Sequence, residues 1–181
     1  MGLEPLPTAL LGDAAGSRIA MAARIRPVWR GARLAGPAFT VRTAPGEHRP
    51  VREAAGRAPA GAVLVIAAGG DLERALWGDK MSQLALERGL GGVVVDGAVR
   101  DLDGIEVLGF PVFAAGAVPT PPGRERPGEV DVEVVCGDIA VRPGDLVYGD
   151  ADGVVVVPQA EHANLVARAT ALAAAEAAGG G

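Results

Sequence analysis

Four charged residues stand at the two ends of residues 77–101. Asp79 and Lys80 open this segment, and the adjacent pair Arg100 and Asp101 closes it, with twenty residues between Asp79 and Arg100. A guanidinium binds a carboxylate or a developing enolate oxygen through its fork of donors. Two carboxylates beside such an anion repel it unless a hard divalent cation lies between them, and oxygen ligands with retained waters suit Mg²⁺ or Mn²⁺. These residue types therefore indicate metal-assisted chemistry on a small acid.

The lengths of the elements inside this segment bring its charges together. The sequence predicts a helix from Asp79, as its N-cap, to Gly89, followed by a buried strand over residues 92–97. The helix advances about 16 Å at roughly 1.5 Å per residue, and the strand returns about 20 Å at roughly 3.3 Å per residue. The chain returns to its starting level, so Arg100 and Asp101 should lie near Asp79.

The start of the predicted helix favours a bound anion, because its N–H groups are free and the helix dipole is positive there. The same spacing also fits a simpler interpretation, in which Asp79 only caps the helix and the later Arg-Asp pair is an exposed ion pair. A third alternative is Schiff-base chemistry on Lys80, the only lysine of the chain, although a residue one step into a helix usually faces solvent. At the start of the predicted helix, the N–H groups expected to be free are those of Gly78, Asp79, Lys80 and Met81.

The elements around this segment predict a single mixed α/β domain over residues 1–181, with a flexible tail at residues 179–181. Their order is helix, strand, helix, strand, helix, strand, then antiparallel strands and a closing helix. The predictions before residue 79 are one or two short helices within 8–25, strands at 38–43 and 61–70, a helix at 47–59, and a loop or helical turn at 71–78.

Composition and charge exclude several classes of protein. With 49% hydrophobic residues and a net charge of -5, the chain is predicted to be compact and cytoplasmic, without a basic surface for nucleic acid. No run approaches the roughly 20 apolar residues of a membrane span, and the first residues have no signal-like pattern. Cys136 is the only cysteine, which excludes an intrachain disulfide framework and a thiolate metal cluster.

Other residues of reactive types have ordinary structural interpretations. His48 and His162 stand far apart in polar segments, so both are predicted to be surface residues. Cys136 is predicted to lie in a buried strand without a histidine partner. Asp96 fits a supporting group of the site or a turn, and Trp77 fits the wall of a pocket or the core. The Asp-Gly turn of a hairpin accounts for Asp150 and Asp152.

The pattern "GDKM…VVVDGAVRD", which contains Asp79 and then Arg100-Asp101, resembles the RraA-like family. Within that family it is similar to the class II pyruvate aldolases called 4-hydroxy-4-methyl-2-oxoglutarate (HMG/CHA) aldolases. The segments "FPVFAAG" and "VRPGDLVYGDADGVVVVP" also resemble the family, and the similarity spans residues 8–178. The resemblance implies a swivelling β/β/α fold, a homotrimer or dimer of trimers with a site at a subunit boundary, and a small-molecule 2-oxo acid substrate.

The same resemblance implies a role for each charged residue. Asp101 would ligate the divalent metal, Asp79 would hold the water shell of the metal, and Arg100 would bind the pyruvyl oxygen. The backbone of residues 78–81 would receive the substrate carboxylate. The implied reaction is retro-aldol cleavage to pyruvate through an enolate, and oxaloacetate decarboxylation is expected beside it because it produces the same enolate.

The chain departs from the aldolase pattern at one point that concerns the site. Dedicated aldolases supply a further acid from their C-terminal region to a neighbouring subunit, and here only Glu161 and Glu176 are distant candidates. The general base is therefore open. Two rival functions are a non-catalytic regulator of ribonuclease E or a helicase, and a methyltransferase, for which the chain lacks a glycine-rich nucleoside-binding loop. A carboxylate at Asp101 beside Arg100 favours the lyase, because ribonuclease regulators of the family lack it.

Overall fold

The computed structural model describes residues 6–179, which contain five α-helices and ten β-strands. The helices are α1 (Thr8–Ala14), α2 (Arg49–Arg57), α3 (Asp79–Glu87), α4 (Leu102–Leu108) and α5 (His162–Gly179). The strands are β1 (Arg26–Pro27), β2 (Leu34–Arg42), β3 (Val63–Trp77), β4 (Gly92–Val99), β5 (Val112–Ala117), β6 (Glu129–Val130), β7 (Val134–Cys136), β8 (Ile139–Val141), β9 (Leu146–Asp150) and β10 (Gly153–Val157).

One mixed sheet organises the domain. Its strand order is β1-β5-β4-β3-β2-β9-β10, with β6 paired to β2. Strands β2 to β5 run parallel to one another, whereas β1, β6 and β9 pair antiparallel with their neighbours in that group. Parallel neighbours require a crossover, and α2, α3 and α4 occupy those connections. The prediction of a mixed α/β domain is confirmed.

The two faces of this sheet carry different layers. On β3, Leu64 and Ile66 pack under the helices in a cluster that includes Ile105 of α4. Val65, between them, faces the opposite side and packs with Cys136 of the β7–β8 hairpin. Every residue of β4 is buried, which confirms a strand covered on both faces. The hairpin, the sheet and the helices form the β/β/α layers that the resemblance implies.

The first and last helices close one end of the sheet. Leu11 of α1 and Leu165 of α5 share a buried cluster with Tyr148 and Val157 of β9 and β10. Helix α5 ends at Gly179, and residues 180 and 181 of the predicted tail lie outside the described residues. Among the described helices, none combines the length and apolar character that a membrane crossing requires.

The prediction of a loop or helical turn over residues 71–78 is wrong. Most of these residues complete β3, which continues to Trp77 as a 15-residue strand. Its ladder with β4 shifts register three times between Ala67 and Trp77, so the intervening residues bulge outward. The Ala75 N–H donates to the carbonyl of Thr120 at 2.9 Å. The hydrogen-bond partners that hold this segment extended lie in β4 and at Thr120, so the sequence of the segment itself does not reveal them.

One short helix forms within residues 8–25, where one or two were predicted. After α1 the chain lies along β10 instead, with the Met21 N–H donating to the Val154 carbonyl at 2.9 Å. Met21 and Ile25 are nevertheless buried in the core. Their apolar spacing is satisfied by packing against the sheet, without a second helix.

Candidate active site

Two connections of the sheet meet at one place. Strand β3 passes into α3 at Gly78, and β4 passes into α4 at Arg100 and Asp101. The Arg100 N–H donates to the Trp77 carbonyl at 2.9 Å. A Cβ on Gly78 would lie 2.7 Å from Oδ2 of Asp101, so the glycine backbone packs directly against that carboxylate. The chain returns to its starting level, as the element lengths predict. We call Gly78, Asp79, Arg100 and Asp101 the charged corner.

A cavity of about 300 Å³ opens on the charged corner. A second, shallower cavity of about 280 Å³ lies on the other side of Arg100 and Asp101. The first cavity brings together all the residues that the sequence analysis singled out for binding and catalysis. They are Gly78, Asp79, Lys80, Met81, Arg100 and Asp101.

The N-cap of helix α3 lies one residue earlier than predicted. Gly78 occupies the N-cap position and Asp79 is the first helical residue, so the prediction of Asp79 as N-cap is wrong. Oδ1 of Asp79 accepts the Lys80 N–H at 2.6 Å. A Cβ on Gly104 of α4 would lie 3.0 Å from the Cβ of Asp79. The half-buried Asp79 is thus held between the starts of two helices.

Buried polar contacts fix the backbone of the charged corner. Nε1 of Trp77 donates to Oγ of Ser82 at 2.8 Å, and that hydroxyl donates to the Gly78 carbonyl at 3.1 Å. The indole also stacks on Phe110, with ring centroids 6.1 Å apart. Trp77 is buried and also lines the cavity, so it fills both roles that the sequence allowed. A rigid corner of this kind keeps its charges in place before a ligand arrives.

Asp101 adopts a left-handed backbone conformation, with φ 58° and ψ 42°. This conformation costs an L-residue roughly 1–2 kcal/mol, and aspartate is among the few residues that visit it routinely. The Asp101 carbonyl accepts the Ile105 N–H at 3.0 Å and so begins α4. Its side chain remains 41% exposed. Backbone strain of this type clusters at functional sites.

The guanidinium of Arg100 is only partly engaged by the protein. Its Nε lies 3.3 Å from Oδ2 of Asp101. Within residues 6–179, Asp101 is its only ion-pair partner, and its two terminal nitrogens donate no hydrogen bond. Because Arg100 lines the cavity, these donors are available to an oxygen of a bound ligand.

Two further arginines add positive charge to the lining of the cavity. Arg52 of α2 and Arg124, from the loop between β5 and β6, both line it. Neither forms an ion pair with any residue that the structure describes. The His48 N–H donates to the Gly123 carbonyl at 3.0 Å, which joins the start of α2 to this loop. Together with Arg100, these two arginines make the lining of the cavity complementary to an anion.

The prediction of a surface position for His48 is wrong. The residue is half-buried and lines the cavity. Burial lowers the pKa of His48 below 6.5, and the positive charges of Arg124, Arg52 and Arg100 lower it further. Sequence reasoning missed this residue because the loop that folds over it lies about 75 positions later in the chain. No local pattern around His48 announces that contact.

The donor set of the charged corner fits a hard divalent cation. Two carboxylates, those of Asp79 and Asp101, line the same cavity. Among the described residues, no group of three or more His, Cys, Asp or Glu side chains is arranged to hold a metal. Structural zinc takes four protein ligands, whereas Mg²⁺ keeps several waters and is held by one or two carboxylates together with its substrate. The residues present thus suit Mg²⁺ or Mn²⁺.

Other candidate residues have structural partners away from the cavity. Cys136 is buried in β7, as predicted, and burial raises the pKa of its thiol. Asp96 lies inside β4, not in a turn, and is paired with Arg24. Nε2 of His162 lies 2.6 Å from the hydroxyl of Tyr148.

The predicted hairpin turn at Asp150 and Asp152 is confirmed. Asp150 ends β9, and its Oδ1 accepts the Asp152 N–H at 3.0 Å. Of the two distant acid candidates, Glu161 is exposed in a 3-10 turn before α5, and the side chain of Glu176 lies outside the described residues. The described residues therefore supply the cavity with no acid from the C-terminal helix.

Comparison with known proteins identifies the family. The family model described as RraA-like, Aldolase/RraA, matches residues 8–156. The chain belongs to the RraA-like family. A relative from Halalkalibacterium halodurans, named "Putative 4-hydroxy-4-methyl-2-oxoglutarate aldolase", is 37% identical over 164 residues, which cover 91% of this chain and 78% of the relative.

Solved structures of RraA-like proteins share the fold. The RNA-processing inhibitor RraA from Thermus thermophilis has a TM-score of 0.78 and 32% identity, covering 86% of this chain and 94% of its own. A structure described as S-adenosylmethionine: 2-dimethylmenaquinone methyltransferase, from Geobacillus kaustophilus, has a TM-score of 0.79 and 35% identity, covering 85% and 96%. Relatives on this fold thus carry names from three functional classes, and the residues of the cavity must decide among them.

Proposed function

We propose that this RraA-like protein is a divalent-metal-dependent lyase of the class II pyruvate aldolase type. It cleaves 4-hydroxy-4-methyl-2-oxoglutarate, or a similar 2-oxo dicarboxylate, to pyruvate, and it also decarboxylates oxaloacetate. The observation that carries the proposal is the convergence of Asp79, Arg100 and Asp101 on one cavity at the open start of α3. A protein that acts only through its outer surface gains nothing from this convergence.

The charge distribution of the cavity supports a substrate with two carboxylates. The start of α3 favours the carboxylate beside the 2-oxo group through the helix dipole and through N–H groups other than that of Lys80, which donates to Asp79. Arg52 and Arg124, in the same lining, offer guanidinium groups to the second carboxylate. A volume of about 300 Å³ accommodates a small dicarboxylate.

Each residue of the charged corner has a role in this reaction. Asp101 would hold the cation directly, and Asp79 would hold its water shell. A divalent cation in that position supplies Lewis-acid charge for the 2-oxo group. Arg100 donates from its terminal nitrogens to the same oxygen as negative charge develops there. Donors that are already in place need no reorganisation during the reaction, which is the main source of their effect.

The two proposed reactions share one intermediate. Retro-aldol cleavage breaks the C3–C4 bond of the substrate and leaves its electron pair in a pyruvate enolate. Loss of carbon dioxide from oxaloacetate leaves the same enolate. Arg100 therefore stabilises the transition state of both reactions, whereas only the retro-aldol reaction must also remove a hydroxyl proton.

The test is oxaloacetate decarboxylation, followed as pyruvate formation with added Mg²⁺ or Mn²⁺ and with EDTA. The rate of the metal ion alone is measured in parallel and subtracted. We expect turnover only with metal, and a loss of at least about 100-fold in Asp101→Ala. Asp103→Ala is the matched control, because Asp103 is an exposed aspartate in the first turn of α4 and does not line the cavity. Turnover that survives EDTA and Asp101→Ala would place the chemistry elsewhere, with Lys80 the next residue to replace.

A second candidate function is a non-catalytic regulator that binds ribonuclease E or a helicase. The similarity to the RNA-processing inhibitor RraA favours it. Absence of lyase activity with every metal, together with binding of a ribonuclease by the intact protein, would support the regulator over the lyase. A methyltransferase is disfavoured, because Gly69 and Gly70 lie inside β3 and do not form a phosphate-binding loop before a helix.

The homotrimer is part of the same proposal. The resemblance implies a site at a subunit boundary, and the second cavity beside Arg100 and Asp101 supports an additional contact at that side. Sedimentation equilibrium gives the mass of the assembly directly. A monomer with full lyase activity would remove the subunit boundary from the proposal and leave the chemistry unchanged.

A further inference from the structure

The retro-aldol reaction needs a base that the charged corner does not identify. The base must accept the proton of the C4 hydroxyl as the C3–C4 bond breaks. On the basis of the proposed function, we propose that His48 is this base and that its imidazole exchanges the proton with the substrate. Neither the family match nor the named relatives assign a function to this residue.

The position of His48 suits proton transfer. His48 lines the same cavity as Arg100 and Asp101. The backbone is fixed at both sides, because the His48 N–H donates to Gly123 and the His48 carbonyl accepts the Arg52 N–H, each at 3.0 Å. The ring itself has no hydrogen bond to a described residue, and no buried side-chain nitrogen or oxygen among them lacks a partner. The ring nitrogens of this cavity-lining residue are therefore accessible from outside the protein and unoccupied by a described partner.

The charges around His48 favour the form that accepts a proton. Burial and the guanidinium groups of Arg124, Arg52 and Arg100 lower its pKa below 6.5, so the imidazole is neutral at pH 7. Guanidinium groups stay protonated and cannot compete as bases. The titratable and charged groups that face His48 come from α2, the loop between β5 and β6, and the starts of α3 and α4. They are Arg52, Arg124, Asp79, Lys80, Arg100 and Asp101.

The proton and the electrons balance without a further reagent. His48 takes the hydroxyl proton, the C4–O bond becomes a carbonyl, and the C3–C4 electron pair moves into the enolate. The imidazolium then returns the proton to C3, so 4-hydroxy-4-methyl-2-oxoglutarate becomes two molecules of pyruvate. Oxaloacetate has no C4 hydroxyl to deprotonate, and its cleavage does not use His48.

The experiment compares two reactions in one variant. In His48→Gln, we expect retro-aldol cleavage of 4-hydroxy-4-methyl-2-oxoglutarate to fall about 10²–10⁴-fold, the usual contribution of a general base. Oxaloacetate decarboxylation by the same sample, with the same metal, should stay within about threefold, because it needs no base. His162→Gln is the matched control, since it replaces the only other histidine of the chain, which pairs with Tyr148.

The pH profile gives a second readout. In the unchanged protein, retro-aldol kcat/KM should fall as the pH drops below the lowered pKa of His48, because the imidazole becomes charged and can no longer accept a proton. This acid limb should be absent from the residual activity of His48→Gln. A carboxylate base such as Asp79 would leave the limb in the variant.

The outcomes separate this inference from the proposed function. If His48→Gln keeps the full activity of the unchanged protein in both reactions, the role of His48 is overturned and the lyase stays intact. An equal loss in both reactions shows a structural or binding role and also overturns the inference. Absence of both reactions in the unchanged protein refutes the lyase, and the base with it.

Discussion

Two clusters of the same composition, each with one arginine and two aspartates, lie along β4 and at its end. In the first cluster, Arg24 donates two hydrogen bonds to Asp96 at 3.1 Å and two to Asp138 at 3.0 and 3.3 Å. In the charged corner, Nε of Arg100 lies 3.3 Å from Oδ2 of Asp101, and the guanidinium donates no hydrogen bond to a described residue. The protein uses four of the five N–H donors of the first arginine, whereas the second keeps its donors for a ligand.

The difference shows how a charge that stabilises the fold can be told from one that binds. Asp96 is 3% exposed, and besides Arg24 it accepts the Gly137 N–H at 3.0 Å. A buried carboxylate must be satisfied in this way, because an unpaired charge in the interior is costly. The side chain of Asp101 is 41% exposed, and it lies with Arg100 beside a cavity. Unused donors and acceptors at a cavity are therefore the better guide to a site than residue type.

The largest expected effect is on activity, in the charged corner. Arg100→Ala should lower kcat/KM for oxaloacetate decarboxylation about 10²–10³-fold, because it removes the donors aimed at the enolate oxygen. The free energy of unfolding should change by no more than about 0.5 kcal/mol, since the side chain is partly exposed. Steady-state kinetics and urea unfolding measure the two quantities. If Arg100→Ala keeps its activity and loses stability, Arg100 stabilises the fold and does not bind the ligand.

The opposite pattern is expected for the first cluster. Asp96→Ala leaves the Gly137 N–H without its acceptor and removes two of the four hydrogen bonds of Arg24, which should lower the free energy of unfolding by about 1–3 kcal/mol. The folded fraction should retain its turnover. Asp138→Ala, on the exposed side of Arg24, should cost less. Loss of turnover in folded Asp96→Ala would show that this cluster also serves the site.

Two glycine-to-alanine substitutions, at Gly78 and at Gly56, test how closely the charged corner is packed. Gly78→Ala places a Cβ 2.7 Å from Oδ2 of Asp101 and 3.3 Å from Cγ of Arg100, so both side chains must move. Displacement of about 1 Å in a catalytic group costs on the order of 100-fold in rate. Gly56→Ala in α2 meets nothing within 4 Å and should instead stabilise the protein by about 0.5–1 kcal/mol. Full activity in Gly78→Ala would show that the corner adapts.

The smallest effect concerns Asp150, a carboxylate away from both clusters that accepts its hydrogen bonds from Thr8 and Asp152. Burial raises its pKa, but hydrogen bonds from Thr8 and from the Asp152 N–H outweigh burial and leave the pKa below 3.8. A lowered pKa in the folded state stabilises the protein above the unfolded pKa, and this contribution disappears as the pH falls through the folded value. Between pH 4 and 2, the unchanged protein should lose stability more steeply than Asp150→Asn. Parallel acid unfolding curves for the two proteins would contradict this.

Much of the fold and the charged corner could be predicted because the signals are local. Helix α3, the buried β4 and the turn at Asp150 each follow from residue periodicity or turn chemistry within a few positions. Two errors share one cause. The extended residues at the end of β3 and the position of His48 depend on segments that lie about 20 to 75 residues away, which no local pattern contains.

The sequence by itself determined the order of the elements and the meeting of Asp79 with Arg100 and Asp101, because element lengths fix where the chain returns. Only the tertiary structure decided that Arg24 satisfies Asp96 while the donors of Arg100 remain open. Hydrogen bonding between distant residues depends on the three-dimensional packing, and the spacing along the chain does not specify it.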